Sequence, residues 1–212
     1  MNLRTIPHHK FHLRKQRIDH ALASEILRHD PVFHHIPLSA VPKLTSCALE
    51  RGEEVADAVY KKYGTRDPLR LARHMDIRIL FDITYSPSRA LTVLSRYHEK
   101  PPTIIIYESA IRQCRDNMAR WEIKQKTFLS ELTQICAAHE IYHHIERTTF
   151  DFIDLTYCVP IINLGFLKIE KSVRSLSEIA AHAFAKSYLR LPFLPCCLDA
   201  QLFEQIHQEE ME

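Results

Sequence analysis

The sequence predicts an α+β fold, mostly helical, in which a small and largely antiparallel three-stranded sheet precedes one long helix. Three observations lead there. Helical periodicity opens and closes the chain, while three short runs of β-type residues sit together in its middle. Only 3 glycines occur in 212 residues, which favours helix and nearly excludes glycine-cradled phosphate loops. Helices and strands come in blocks rather than in βαβ alternation.

Residues 1–48 read as a basic, histidine- and proline-containing N-terminal extension, packed on or beside a main domain of residues 49–212. The extension holds Lys10, Arg14, Lys15 and Arg17, then a short helix from Asp19 to Arg28, and prolines 31, 37 and 42 interrupt the chain beyond that helix. A solvated charge run is the simpler reading of its basic part, with an arm that touches nucleic acid as the other. From Glu50 the pattern is regular: Val55, Ala58, Val59 and Tyr63 share a helical face that Gly64 stops. Asp67-Pro68 is an N-cap followed by proline in the first turn of a helix that runs to Met75. The three β-type runs are Ile77–Ile83, Leu91–Tyr97 and Thr103–Tyr107, separated by Pro87 and by Pro101-Pro102. A long helix from Lys124 to Glu146, a strand near Ile161–Ile169, and helices Ser177–Leu189 and Leu198–His207 complete the reading.

Composition narrows the function classes. Apolar residues are 46% and charged residues 25%, as in ordinary globular domains. No apolar run approaches the roughly 20 residues of a membrane helix, and the first residues carry charges and histidines instead of a leader's apolar stretch. A formal charge of +2 is too weak to argue for direct nucleic-acid binding. Six cysteines, none in C-x-x-C spacing, suit reduced thiols in a cytoplasmic protein.

The long helix contains His139-Glu140-Ile141-Tyr142-His143, an HExxH. Spacing i, i+4 puts both imidazoles on one face, about 6 Å apart at Cβ, within reach of one cation. Glu140 is turned away from them round the helix, where it flanks the ion as a general base without binding it. Chance predicts roughly 0.07 such matches in a chain of this composition, so context matters. Phe128, Leu132, Ile135 and Cys136 form an apolar stripe that runs into the two histidines. Placing imidazoles and a carboxylate in such surroundings is costly unless something pairs with them, and Zn2+ does so.

A catalytic zinc takes three protein ligands. The best third is Glu178, in the alanine-rich Glu178-Ile179-Ala180-Ala181-His182-Ala183-Phe184-Ala185. The small side chains permit close approach to the HExxH helix, although helix propensity alone also explains alanines. His182, one turn on, is the competing ligand, or else lies beside the ligands or at the oxyanion. His144 and Glu146 read as surface groups or as partners of the ligands, and the pairs His8-His9 and His34-His35 as solvent-facing.

Three segments together resemble the ImmA/IrrE family of zinc metallopeptidases: Tyr63-Gly64-Thr65-Arg66-Asp67-Pro68, Ala137 to His144, and Glu178 to Ala185. The resemblance covers about residues 50 to 195. It departs at Tyr142, where the family commonly has glycine, and in the roughly 30 residues between the Ile104 strand and the HExxH. It implies a zincin-like fold, with zinc on His139, His143 and Glu178 and Glu140 as general base. It also implies a bacterial or mobile-element endopeptidase whose protein substrate is a DNA-binding transcriptional repressor.

In that chemistry Glu140 takes a proton from the attacking water and returns one to the departing amine. A further donor steadies the oxyanion, for which His182, Tyr157 and Tyr107 are candidates. An exposed strand, Leu91–Tyr97 or Thr103–Tyr107, is expected to hold substrate by strand addition. The alternative is a regulatory binding protein of a mobile element or stress response, which keeps zinc for stability and hydrolyses nothing.

Overall fold

The computed structural model describes residues 8–85, 93–119, 128–149, 157–163 and 168–198. In chain order these form α1 (His8–Arg28), α2 (Val41–Tyr63), α3 (Pro68–His74), β1 (Arg78–Asp82), β2 (Ser95–His98) and β3 (Thr103–Tyr107). They continue with α4 (Glu108–Ala119), α5 (Phe128–Thr148), β4 (Cys158–Asn163), β5 (Lys168–Ser172) and α6 (Ser175–Leu189). The mostly helical α+β expectation holds. The helix expected at Leu198–His207 lies outside the described residues beyond Leu198, which ends a short 3-10 turn.

The three-stranded sheet is mixed rather than largely antiparallel. Its order is β1-β3-β2, with β1 parallel to β3 and β2 antiparallel to it. Strand periodicity tells which side chains share a face but not which way the neighbour runs, so the parallel pair left no mark on the pattern. Where one strand was expected near Ile161–Ile169, β4 and β5 pair as an antiparallel ribbon. The long interval after β3 is occupied in part by α4, which packs on α5.

α6 is the central helix, packed along α2 on one side and α5 on another. Its buried residues run almost all round: Leu176, Ile179, Ala180, Ala181, Ala183, Phe184, Ala185 and Tyr188. The alanines allow a close crossing, but Ala180 and Ala183 make it with α2. A Cβ added at Gly52 would lie 2.2 Å from the Ala180 carbonyl oxygen and 2.7 Å from the Ala183 Cβ. Tyr142, on α5, is buried with its ring 5.8 Å from that of Phe184, so its bulk fills the core between α5 and α6.

Both ends of α6 are held by charge. Asp30, itself buried, accepts from the Val32 N–H and from the Ser175 N–H at the helix N-terminus, each at 2.9 Å. At the other end Arg66 donates to the Ser187 and Tyr188 carbonyls at 3.1 and 2.9 Å, and the Tyr188 hydroxyl donates to the Thr65 carbonyl. An anion at the N-terminus and a cation at the C-terminus both suit the helix dipole. Gly64 closes α2 at φ 66°, and the Asp67 side chain caps α3 as its sequence predicts.

The boundary expected after residue 48 falls inside α2. Pro42 sits in the first turn of that helix, where its missing N–H is harmless, and so opens the element instead of interrupting it. Leu22, Ala23, Leu27, Val32 and Ile36 belong to the same core as α5 and α6, and Asp19 pairs with Lys186 of α6. On α2 the inward face is Ala48, Leu49, Gly52, Val55, Ala56 and Val59, with Ala58 outside.

Candidate metal centre

α5 turns His139 and His143 to one face, and α6 brings Glu178 across to them. The His139 Nε2 and His143 Nε2 atoms are 3.2 Å apart. Glu178 Oε2 lies 3.2 Å from the first, and Glu178 Oε1 3.5 Å from the second. Ligands about 2.0–2.1 Å from a tetrahedral zinc stand about 3.3 Å from one another. The three separations are near that value, the two to Glu178 running through different carboxylate oxygens, and one donor atom from each residue lies within 4.8 Å of the others. Two imidazoles and a carboxylate are a donor set of catalytic zinc sites, so these residues fit the ion. The histidine side chains are 14% and 12% exposed and that of Glu178 is 51% exposed, so the centre opens on the α6 side.

The same proximity sets the charges when protons take the place of the cation. Burial opposes charge on His143, but Glu146 and Glu178 outweigh it and push the imidazole up to about 10. Desolvation would raise Glu178, yet His139 and His143 hold it well below the usual carboxylate range. Burial, helped by positive charge at His139, pushes His182 down to about 3 and keeps it neutral.

Glu140 is 7% exposed and points toward the sheet, where its Oε1 accepts from the Ser95 hydroxyl at 2.7 Å. One helical turn on, the buried His144 meets the Tyr97 hydroxyl through Nδ1 at 2.8 Å. The match is geometric: two residues of strand advance about 6.8 Å and four of helix about 6 Å, so alternate β2 side chains meet successive α5 turns. Burial also holds the His144 pKa below its ordinary value.

Behind His143 lie two buried polar groups, Glu146 and Ser177. The Ser177 hydroxyl donates to Glu146 Oε2 at 2.6 Å and stands 3.4 Å from His143 Nδ1. Of the two readings of Glu146, burial excludes the surface one, and the same holds for His144. Neither Ser95 nor Ser177 is marked by the sequence. A serine 45 positions from its carboxylate leaves no spacing signal, and one just before Glu178 reads as a helix cap.

His182 is not in the ligand triangle. Its ring centroid lies 4.6 Å from that of His139, and its Nδ1 is buried without a hydrogen-bond partner among the described residues. Of the other oxyanion candidates, Tyr107 packs its ring on Tyr85 at 4.2 Å. Tyr157 packs against the core and takes the Val173 N–H on its carbonyl. Neither hydroxyl is hydrogen-bonded to a residue of the triangle. β3 is the central strand and has no free edge, whereas β2 pairs on one side only among the described residues, which leaves β2 of the two strands expected to receive substrate.

Comparison with known proteins finds no matching family model, no matching curated protein and no matching solved structure.

Proposed function

We propose that the protein is a zinc-dependent endopeptidase of the ImmA/IrrE kind, with a zincin-like active site, acting in the cytoplasm on a DNA-binding transcriptional repressor. The observation that carries the reading is the convergence of His139, His143 and Glu178: the two Nε2 atoms stand 3.2 Å apart, with the two oxygens of Glu178 at 3.2 and 3.5 Å from them, separations close to those of neighbouring zinc ligands. Bound there, zinc lowers the pKa of water toward 7 and polarises a carbonyl.

The chain supplies the rest. Glu140, whose Oε1 accepts from Ser95, would take a proton from the attacking water and pass one to the leaving amine nitrogen. β2, one-sided in its pairing, offers backbone groups to an extended peptide. His182, neutral and with its ring 4.6 Å from that of His139, is the oxyanion candidate that stands beside a proposed ligand. No helix among the described residues is long and apolar enough to cross a membrane, which suits a substrate met in solution.

The burial of Glu140 and its bond to Ser95 favour a second reading, a zinc-stabilised regulatory binding protein without activity. Metal content and new peptide N-termini, compared between cells carrying the wild type and Glu140→Ala, separate the two. One zinc in both proteins, with cleavage products only from the wild type, supports the endopeptidase. Identical peptide sets from two zinc-loaded proteins leave the binding protein, and absence of zinc from both rejects both.

A further inference from the structure

We propose that Glu146 and Ser177 are positioning residues for His143, forming a chain that holds the Nδ1 proton and the aim of this imidazole before any metal arrives. The inference rests on the metal centre proposed above.

The geometry has a single consistent order of donors. His143 Nδ1 lies 3.4 Å from the Ser177 hydroxyl and 3.6 Å from Glu146 Oε2, and the hydroxyl is 2.6 Å from that carboxylate oxygen. A carboxylate only accepts, so the serine proton goes to Glu146 and the serine oxygen is left to accept from the imidazole. Nδ1 then keeps its proton, and Nε2, the atom 3.2 Å from His139 Nε2, is the nitrogen left to exchange its proton for a cation.

Placement makes the chain rigid. Glu146 is 4% and Ser177 8% exposed, so water competes little for either group. Glu146 lies three residues after His143 on α5, and Ser177 immediately precedes Glu178 on α6. The serine thus bonds across the helix pair at the level of the ligands, and it ties the aim of His143 to the position of the helix that brings Glu178. Burying a carboxylate here is costly unless it is bonded, and the bonds it makes include the one that orients a ligand. Groups that hold a ligating histidine from behind typically contribute 10- to 100-fold in metal affinity.

The test is zinc affinity by chelator competition, with the visible spectrum of the cobalt-substituted protein as a second readout. Glu146→Gln and Ser177→Ala are each expected to weaken zinc about tenfold and to alter the cobalt bands. Ser177→Thr, which keeps the hydroxyl, is expected to restore both. Because the two groups act as one chain, the double variant should lose little more than either single one. Wild-type affinity and an unchanged cobalt spectrum in Ser177→Ala overturn the inference, even where stability of the metal-free protein falls. Should Glu146→Gln not fold, the Ser177→Ala and Ser177→Thr pair decides. A wild-type protein that takes up no zinc overturns the metal centre itself, which is a different failure.

Discussion

The Ser95 hydroxyl on β2 donates to the Glu140 carboxylate on α5 across 2.7 Å, joining the edge strand to the proposed general base. A hydrogen bond to a charged, buried group is worth about 1.5–3 kcal/mol. Ser95→Ala is therefore expected to lower unfolding stability by about 1–3 kcal/mol in urea titrations. Zinc content should stay unchanged, because Ser95 touches no ligand, while appearance of cleavage products slows about tenfold as Glu140 loses its anchor. A variant as fast as wild type would show that Glu140 needs no anchor.

Glu178→Ala removes one corner of the triangle, and His182→Ala removes only a neighbour of His139. The first should weaken zinc beyond the roughly 10- to 100-fold typical of groups behind the ligands, and the second should stay within that range. Elemental analysis after dialysis against a weak chelator checks both. The reverse order would make His182 the ligand.

The metal-free protein should be sensitive to pH through His143 and Glu178. The folded pKa of His143, about 10, exceeds the unfolded value near 6.5, so its contribution is complete below about 6.5 and lost as pH rises through 10. Glu178 is depressed, so its contribution is present above about 4.3 and disappears at more acid pH as its folded pKa is crossed. Melting temperature of the stripped protein should thus fall between pH 6.5 and 10 more than that of the zinc-loaded protein, in which the cation replaces the proton. Parallel curves would separate the two groups from the folding equilibrium.

Gly52 is where α2 and α6 cross. With an added Cβ only 2.2 Å from the Ala180 carbonyl oxygen, backbone must move. Gly52→Ala should cost at least about 1–3 kcal/mol in urea unfolding. It should also weaken zinc, since a shift of α6 moves Glu178 with it, whereas an exposed α2 change such as Ala58→Ser should do neither.

Legibility in the sequence depends on which interactions are local. HExxH is an i, i+4 pattern on one helix, so its geometry could be read directly, as could the Gly64 stop and the Asp67 cap. The alanines round Glu178 mark it in the sequence, although Ala180 and Ala183 serve the crossing with Gly52. Contacts that depend on tertiary placement left no trace in spacing: Ser95 with Glu140, Ser177 with Glu146, and the parallel pairing of β1 with β3. The start of α2 is not legible, because Pro42 punctuates a chain equally well as a helix opener or as a breaker.

Asp30 and Arg66 grip opposite tips of the helix that carries Glu178, and Asp30 lies upstream of every segment that bears chemistry. A fragment trimmed to begin at residue 49 would retain all three donors and the glutamate between them, yet lack the N-terminal clamp and the opening turns of α2. Transplanting this centre into another scaffold therefore requires carrying over its fastenings along with its reactive groups.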